Sequence, residues 1–271
     1  MRELNLDGKK QILDGLQLNP NRYVRDTFSS FDEWYNRAKD VSCPDYARHL
    51  IYYLFQPLYD AIMNGEAPKQ KYVPVLERVV ELSTQYLTGY YLGQPDISII
   101  HKLAEEVNPH LVGKNIDYYY KDRNVDRNGI TPENIKLFLK TYIEKIQNGS
   151  IQYPDVIVGC ACGSSEIVMP LAGILGTKLE FIRKSKRRGD DDAKIISRTQ
   201  QKRISDTCRD KNVVVVEDYV CSGRSLAVVM KAVEKFKPSG VYGAAVNTGD
   251  DIEGITHKLK NKKCYIYDLV S

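Results

Sequence analysis

Continuously apolar segments alternate with helix-like segments in the second half of this 271-residue chain. The predicted strands span residues 155–159, 178–183, 212–217, 240–247 and 264–270. The predicted helices of this half span residues 164–175 and 225–236. Strands that are apolar along their whole length are covered on both faces of a sheet, and intervening helices indicate parallel crossovers. The sequence therefore predicts an α/β fold, with a mostly parallel sheet flanked by helices.

The first half of the chain carries helix boundaries and amphipathic spacings instead. Amphipathic helices are predicted over residues 46–63, 74–92, 98–107 and 132–147. Ser30 and Thr131 are typical N-cap residues, and Pro57 is expected to kink its helix or to open a new one. We predict a mainly helical N-terminal domain over residues 1–150 and an α/β domain over residues 151–271.

The composition is typical of a folded globular protein, with 42% hydrophobic and 27% charged residues. Disordered and fibrous classes are thereby excluded. No segment approaches the roughly 20 apolar residues of a membrane-spanning helix, and the first residues contain no apolar leader. A cytoplasmic protein without a membrane partner is therefore expected. The six cysteines are too few and too scattered for a disulfide scaffold or a zinc site, which predicts free thiols.

The net charge of +4 is unevenly distributed along the chain. Residues 1–150 carry a net charge of −1 and residues 151–271 carry +5, and residues 178–211 contain 12 basic and 6 acidic side chains. A basic stretch of this kind is either a solvated face or a nucleic-acid patch. The three consecutive acids at 190–192 interrupt it, so a nucleic-acid partner is not favoured.

The strongest chemical pattern follows the valine-rich strand. Glu217 and Asp218 end this strand, a short loop follows, and a helix begins near Ser225. Ligands of parallel sheets bind at the carboxyl ends of the strands, and loop amides before a helix bind anions. Gly223 lets the backbone approach a phosphate closely. Because adjacent carboxylates repel a phosphate, they are expected to face sugar hydroxyls or a hydrated cation. The pattern predicts a site for a ribose 5-phosphate, and a solvated turn after the strand is the alternative.

This order of strand, acid pair, loop and helix resembles the phosphoribosyl-diphosphate (PRPP) signature of the type I phosphoribosyltransferases. The resemblance extends over about residues 153–270 and implies the corresponding fold for the α/β domain. It implies that Glu217 and Asp218 hold the ribose 2′- and 3′-hydroxyls. The residues that it places around the 5′-phosphate are Cys221, Ser222, Gly223, Arg224 and Ser225.

Two further elements of the family occur in the expected order. The resemblance assigns pyrophosphate binding to the loop after the first strand and to the basic end of the second strand. The residues concerned are Ala161, Cys162, Gly163, Arg183 and Lys184. Residues 185–203 match the mobile loop that closes over the active site. The basic residues near its start are Lys186, Arg187 and Arg188.

The sequence also departs from the family pattern. The pyrophosphate loop of the family often contains Arg or Lys, whereas Cys162 or Gly163 takes that position here. Tyr219 and Cys221 are atypical for the signature. Enzymes for oxopurine bases usually place Asp where Cys221 stands, which argues against that branch. The cysteines of these loops are interpreted as small packing residues, because no histidine base stands near them.

The resemblance implies an enzyme that transfers ribose 5-phosphate from PRPP to a nitrogenous base and releases pyrophosphate. Mg²⁺ is the implied cofactor, held mainly by ligand oxygens and water, with Glu217 and Asp218 as its nearest protein groups and no direct protein site. A homodimer is expected, with residues 1–150 as hood, interface or specificity element. The missing basic residue favours an alternative, a PRPP- or nucleotide-binding regulator or effector without transfer. A third interpretation is action on a larger substrate, such as a nucleic-acid end, in defence or repair.

Overall fold

The computed structural model describes residues 5–18, 28, 30–63, 69–111, 130–161, 163–184, 194–195, 197–220 and 223–248. The chain divides into two compact units. The sheet unit comprises Met1–Leu18 and Asn128–Ser271, and the helical unit comprises Asn19–Arg127. The predicted division into a helical domain over residues 1–150 and an α/β domain over residues 151–271 stays a prediction.

Four parallel strands form the sheet of the first unit. They are β1 (Val156–Ala161), β2 (Lys178–Arg183), β3 (Asn212–Val220) and β4 (Gly240–Thr248). Their order across the sheet is β2-β1-β3-β4. All six residues of β1 are buried, as are Val213–Val216 of β3. The predicted α/β fold with a parallel sheet is confirmed, because the continuously apolar strands are covered on both faces.

Nine helices lie within the described part of the chain. They are α1 (Leu6–Gly15), α2 (Phe31–Lys39), α3 (Pro44–Met63), α4 (Lys69–Tyr91), α5 (Ser98–Leu111), α6 (Pro132–Gln147), α7 (Ser165–Leu175), α8 (Arg198–Cys208) and α9 (Arg224–Glu234). Helices α2 to α5 form the helical unit, and the other five belong to the sheet unit. The N-caps expected at Ser30 and Thr131 are both present, and Thr131 forms a capping box with Asn134.

One face of the sheet packs against α8 and α9. The buried side chains of this cluster include Val213, Val215, Ile204, Cys208, Leu226, Val229, Met230 and Val233. Each fully buried aliphatic side chain of this size contributes roughly 1.5–3 kcal/mol through the hydrophobic effect. The cluster therefore fixes the start of α9 relative to the end of β3.

Helix α8 was not predicted, because residues 185–203 were matched to a mobile loop and no helix was expected between the second and third strands. The helix begins after Ser197, whose side chain accepts a hydrogen bond from the Gln200 backbone amide. Its sequence is polar apart from a narrow buried stripe. Arg203 Nη2 also donates to the buried Glu180 of β2 at 2.8 Å. The last six residues of the stretch matched to the mobile loop, 198–203, are therefore helical.

The helical unit has α3 as its central element. Pro57 lies inside this helix, so it does not open a new one. Trp34 Nε1 donates to the Leu50 carbonyl at 2.8 Å, which joins α2 to α3. Tyr86 of α4 donates to the Pro44 carbonyl at 2.7 Å. Both aromatic side chains are fully buried, so they stabilise the core of this unit.

The predicted strand over 264–270 lies outside the described residues. Within the described ranges, no helix combines the length and the apolar character needed to cross a membrane.

Candidate functional site

The strand order marks one edge of the sheet as the place for a ligand. The chain passes from β1 outward to β2, then crosses back to β3 on the other side of β1. Loops that leave neighbouring strands in opposite directions open a crevice at their carboxyl ends. Gly159 of β1 pairs with Val216 of β3, so the residues just beyond this pair face that crevice. The predicted acids and the predicted pyrophosphate loop both start there.

The structure brings Asp218 against Gly163. A Cβ atom placed on Gly163 would lie 2.7 Å from Cγ of Asp218 and closer still to Oδ2. Gly163 is exposed, whereas Asp218 is half-buried and accepts a hydrogen bond from the Tyr219 amide at 2.9 Å. Glycine is the only residue that fits here with Asp218 in place. Asp218 of the acid pair therefore lies directly against the loop that follows β1.

Glu217 lies on the opposite face of β3 from Asp218. Its side chain is half-buried, its Oε2 atom is shielded from solvent, and it interacts with the thiol of Cys160 on β1. Burial raises the pKa of the Cys160 thiol well above its usual value, and the Glu217 and Asp218 carboxylates raise it further. The thiol therefore stays protonated and acts as a donor to Glu217. Sequence reasoning did not single out Cys160.

Two basic residues lie at the carboxyl end of β2, Arg183 as its last residue and Lys184 directly after it. Arg183 and Lys184 are only 9% and 6% exposed. Arg183 Nη1 donates to the Ala161 carbonyl at 3.1 Å, at the end of β1. The backbone of Arg183 also pairs with Lys194 through hydrogen bonds of 3.0 and 2.7 Å. Arg183 thus supports the start of the loop that carries Gly163, and it brings positive charge to this edge of the sheet.

The start of α9 has the local structure of a helix N-terminus that follows a glycine turn. Gly223 is buried and has φ of 65° and ψ of −4°, a left-handed conformation that favours glycine. It is the N-cap residue, and Arg224 and Ser225 are the first residues of the helix. Arg224 is exposed and Ser225 is half-buried. The amides of this first turn carry the positive end of the helix dipole.

The structure places some candidate residues and leaves others undescribed. Glu217, Asp218, Ala161, Gly163 and Arg183 meet at the ends of adjacent strands. The candidates that lie outside the described residues are Cys162, Cys221, Ser222, Lys186, Arg187 and Arg188. The assignment of binding roles to all of these residues stays a prediction.

A buried polar turn next to the loop was also missed. Ser164 Oγ donates to the Cys160 carbonyl at 3.0 Å, and Ser165 and Glu166 are buried at the start of α7. Acidic residues in the first turn of a helix were a signal that could have drawn attention to Glu166.

The carboxylates at this edge of the sheet can supply only part of the coordination that a divalent cation such as Mg²⁺ needs. In the described part of the chain, no group of three or more His, Cys, Asp or Glu side chains could hold a metal. Glu217 and Asp218 supply oxygen donors, the kind that Mg²⁺ prefers, and Mg²⁺ commonly keeps several waters and ligand oxygens. An ion at this edge would therefore rely on the bound ligand for most of its coordination.

We expect Cys160 and Cys208 to resist alkylation in the native protein. Both are buried, and burial with the nearby Glu180 raises the pKa of Cys208 to about 12. Only the thiolate is nucleophilic, so neither thiol should react with iodoacetamide at pH 8. Mass spectrometry of peptides from native and urea-unfolded protein checks this. Rapid labelling of either residue in the native protein would show that its thiol is accessible.

Comparison with known proteins gives one family match. The model of the phosphoribosyl transferase domain matches residues 130–267, about half of the chain. None of the curated proteins matches the chain significantly.

Several solved structures also align with part of the chain. The purine phosphoribosyltransferase from Pyrococcus horikoshii is 24% identical, with 42% of this chain and 73% of that chain covered and a TM-score of 0.32. An adenine phosphoribosyltransferase is 20% identical, with 49% and 79% covered and a TM-score of 0.40. The adenine phosphoribosyltransferase from Saccharomyces cerevisiae is 21% identical, with 51% and 79% covered and a TM-score of 0.38.

Proposed function

The chain belongs to the phosphoribosyl transferase domain family, and on this premise we propose that it is an enzyme that uses PRPP. It transfers ribose 5-phosphate to a nitrogenous base or a related acceptor and releases pyrophosphate. The contact between Asp218 and Gly163 carries this proposal. It joins the predicted diol-binding acid to the predicted pyrophosphate loop at the crevice between β1 and β3. The ribose diol and the diphosphate, which these two protein elements are proposed to bind, lie on either side of C1, the reacting carbon of PRPP.

The proposed orientation of PRPP follows from charge. The 5′-phosphate lies at the start of α9, where the Gly223 turn and the first amides favour an anion. The ribose hydroxyls donate to the carboxylates of Glu217 and Asp218. The diphosphate lies toward the loop that contains Gly163 and toward the basic side chains of Arg183 and Lys184. This orientation keeps each anion away from the two carboxylates.

The proposed reaction is a substitution at C1 of the ribose. The lone pair of the acceptor nitrogen forms the new C1–N bond, and the C1–O bond breaks so that pyrophosphate leaves with the electron pair. The acceptor nitrogen loses its proton to water or to the leaving pyrophosphate as the product forms. Charge develops on the leaving oxygen, where the basic end of β2 stabilises it. The protein therefore acts mainly through positioning and electrostatics.

Mg²⁺ is the proposed cofactor, with Glu217 and Asp218 as the protein groups nearest to it. When bound, it neutralises charge on the diphosphate and so makes pyrophosphate a better leaving group.

A regulator that binds PRPP without transfer is the second candidate. Residues 161–163 contain no basic side chain, and the Arg183 guanidinium donates to the Ala161 carbonyl instead of standing in this loop. Weaker electrostatic stabilisation of the leaving pyrophosphate would preserve the binding of PRPP and slow its transfer to the acceptor.

Turnover with PRPP, Mg²⁺ and a panel of purine and pyrimidine bases tests the proposal. We expect pyrophosphate release that depends on one base and is absent without a base. Calorimetric titration with PRPP runs in parallel, with the isosteric Asp218→Asn variant as the control for the site. Binding without release with any base would favour the regulator. No binding of PRPP to the native chain would refute both.

A further inference from the structure

We propose that Cys160 is a positioning residue, whose S–H group orients the Glu217 carboxylate toward the ribose of the bound substrate. This inference rests on the proposed function, and it adds a role for a residue one strand away from the acid pair. Glu217 is the acid that interacts with this thiol, whereas Asp218 accepts a hydrogen bond from the Tyr219 amide and lies against Gly163.

The sheet register places the two side chains side by side. Gly159 pairs with Val216, and Cys160 and Glu217 are the next residues of the two parallel strands. Side chains alternate along a strand, so Glu217 points to the same face as Val215. Cys160 and Val215 belong to one buried cluster on that face. The thiol and the carboxylate are therefore neighbours on the side of this cluster that lies toward the carboxyl ends of the strands.

Burial makes the contact between the thiol and the carboxylate important for the orientation of Glu217. Cys160 is only 3% exposed, and the Glu217 Oε2 atom is shielded from solvent. Water cannot easily replace a lost donor in such a place, and a hydrogen bond to a charged group is stronger than one between neutral groups. Without the S–H group, the carboxylate is free to rotate away from the crevice. The carboxylate oxygen of Glu217 that is not bound to the thiol then accepts a hydrogen bond from the ribose hydroxyl less frequently, so the ribose binds more weakly.

The chain offers a sharp test through two substitutions of Cys160. Cys160→Ser keeps a donor but places a hydroxyl in the cluster, whereas Cys160→Val keeps an apolar side chain and removes the donor. A role in packing alone predicts that valine is tolerated better than serine. The proposed role predicts the reverse order for ligand binding. Cys208 of α8 lies in the same cluster and is fully buried, so Cys208→Ser and Cys208→Val are matched controls.

The readout compares two ligands by calorimetry. Ribose 5-phosphate reports on the diol contact, whereas inorganic pyrophosphate reports on the loop and the basic residues. We expect Cys160→Val to weaken ribose 5-phosphate binding about tenfold, the effect of losing one hydrogen bond to a charged group, with pyrophosphate binding changed less than about twofold. Cys160→Ser should bind ribose 5-phosphate within about threefold of the native protein.

Other outcomes overturn the inference. If Cys160→Val binds ribose 5-phosphate as the native protein does, the thiol does not position Glu217, and the proposed function stands. Equal loss of both ligands in Cys160→Val, or the same loss in Cys208→Val, shows damage to the cluster and also overturns it. If the native protein binds neither ligand, the proposed function itself fails.

Discussion

Replacement of Gly163 by alanine is expected to weaken PRPP binding by about 100-fold while the protein stays folded. The new Cβ would lie 2.7 Å from Cγ of Asp218, a separation that real Cβ atoms do not adopt. Gly163 is exposed, so the clash is relieved by rotation of the Asp218 carboxylate and not by a shift of the core. Loss of a charge-assisted contact costs roughly 1.5–3 kcal/mol, or about 10- to 100-fold in affinity. Crowding of the diphosphate loop adds to this loss.

Gly15 supplies the control for this substitution. It is the last residue of α1, and among the described residues no atom beyond its chain neighbours and the backbone of its own helix lies within 4 Å of the Cβ position. Gly15→Ala should leave PRPP binding unchanged, and both variants should unfold within a few degrees of the native protein. Calorimetry and thermal unfolding provide the two measurements. Native affinity in Gly163→Ala would mean that the Asp218 carboxylate does not contact the ligand.

Joint replacement of Glu217 by Gln and Asp218 by Asn should abolish measurable transfer. Both amides keep the size of the side chain but remove the negative charge that accepts hydrogen bonds from the ribose hydroxyls. Removing preorganised polar contacts of this kind lowers kcat by about 10²–10³ for a single group. The native protein and the double variant are compared by pyrophosphate release at saturating PRPP, and by calorimetry with ribose 5-phosphate.

An exposed acid in the same unit tests whether charge alone explains the loss. Asp206 is exposed on α8, and Asp206→Asn should retain native turnover. Unaltered binding of ribose 5-phosphate by the double variant would refute the role of the acid pair. Equal losses in Asp206→Asn would point to a long-range electrostatic effect instead of contact with the sugar.

The sheet could be predicted from sequence because a strand that is buried on both faces is a continuous run of apolar residues. The run Val213–Val216 has no polar residue, and two acids follow it directly. The strand itself continues past these acids to Val220, through its pairing with β4, which the sequence pattern did not predict. Helix α8 has no such continuous run, because only Gln200, Ile204 and Cys208 of its residues are buried. Part of its stabilisation comes from Glu180 on a different strand. A one-dimensional pattern does not contain that contact.

The candidate site divides in the same way. The acid pair and the glycine-containing loops could be proposed from the order of residue types along the chain. The contact of Asp218 with Gly163 and the approach of Cys160 to Glu217 depend on the register between β1 and β3. Register is set by packing of the whole sheet, so these pairings appear only in the structure. Interpreting Cys160 as a simple packing residue would miss its polar neighbour.

A crystal structure with ribose 5-phosphate tests the central claim most directly. The account predicts that the two ring hydroxyls of the ribose lie about 3 Å from carboxylate oxygens of Glu217 and Asp218. It also predicts the phosphate at the first turn of α9, beside Gly223. A sugar phosphate bound at any other edge of the sheet, or one with its phosphate against the two acids, would contradict the account.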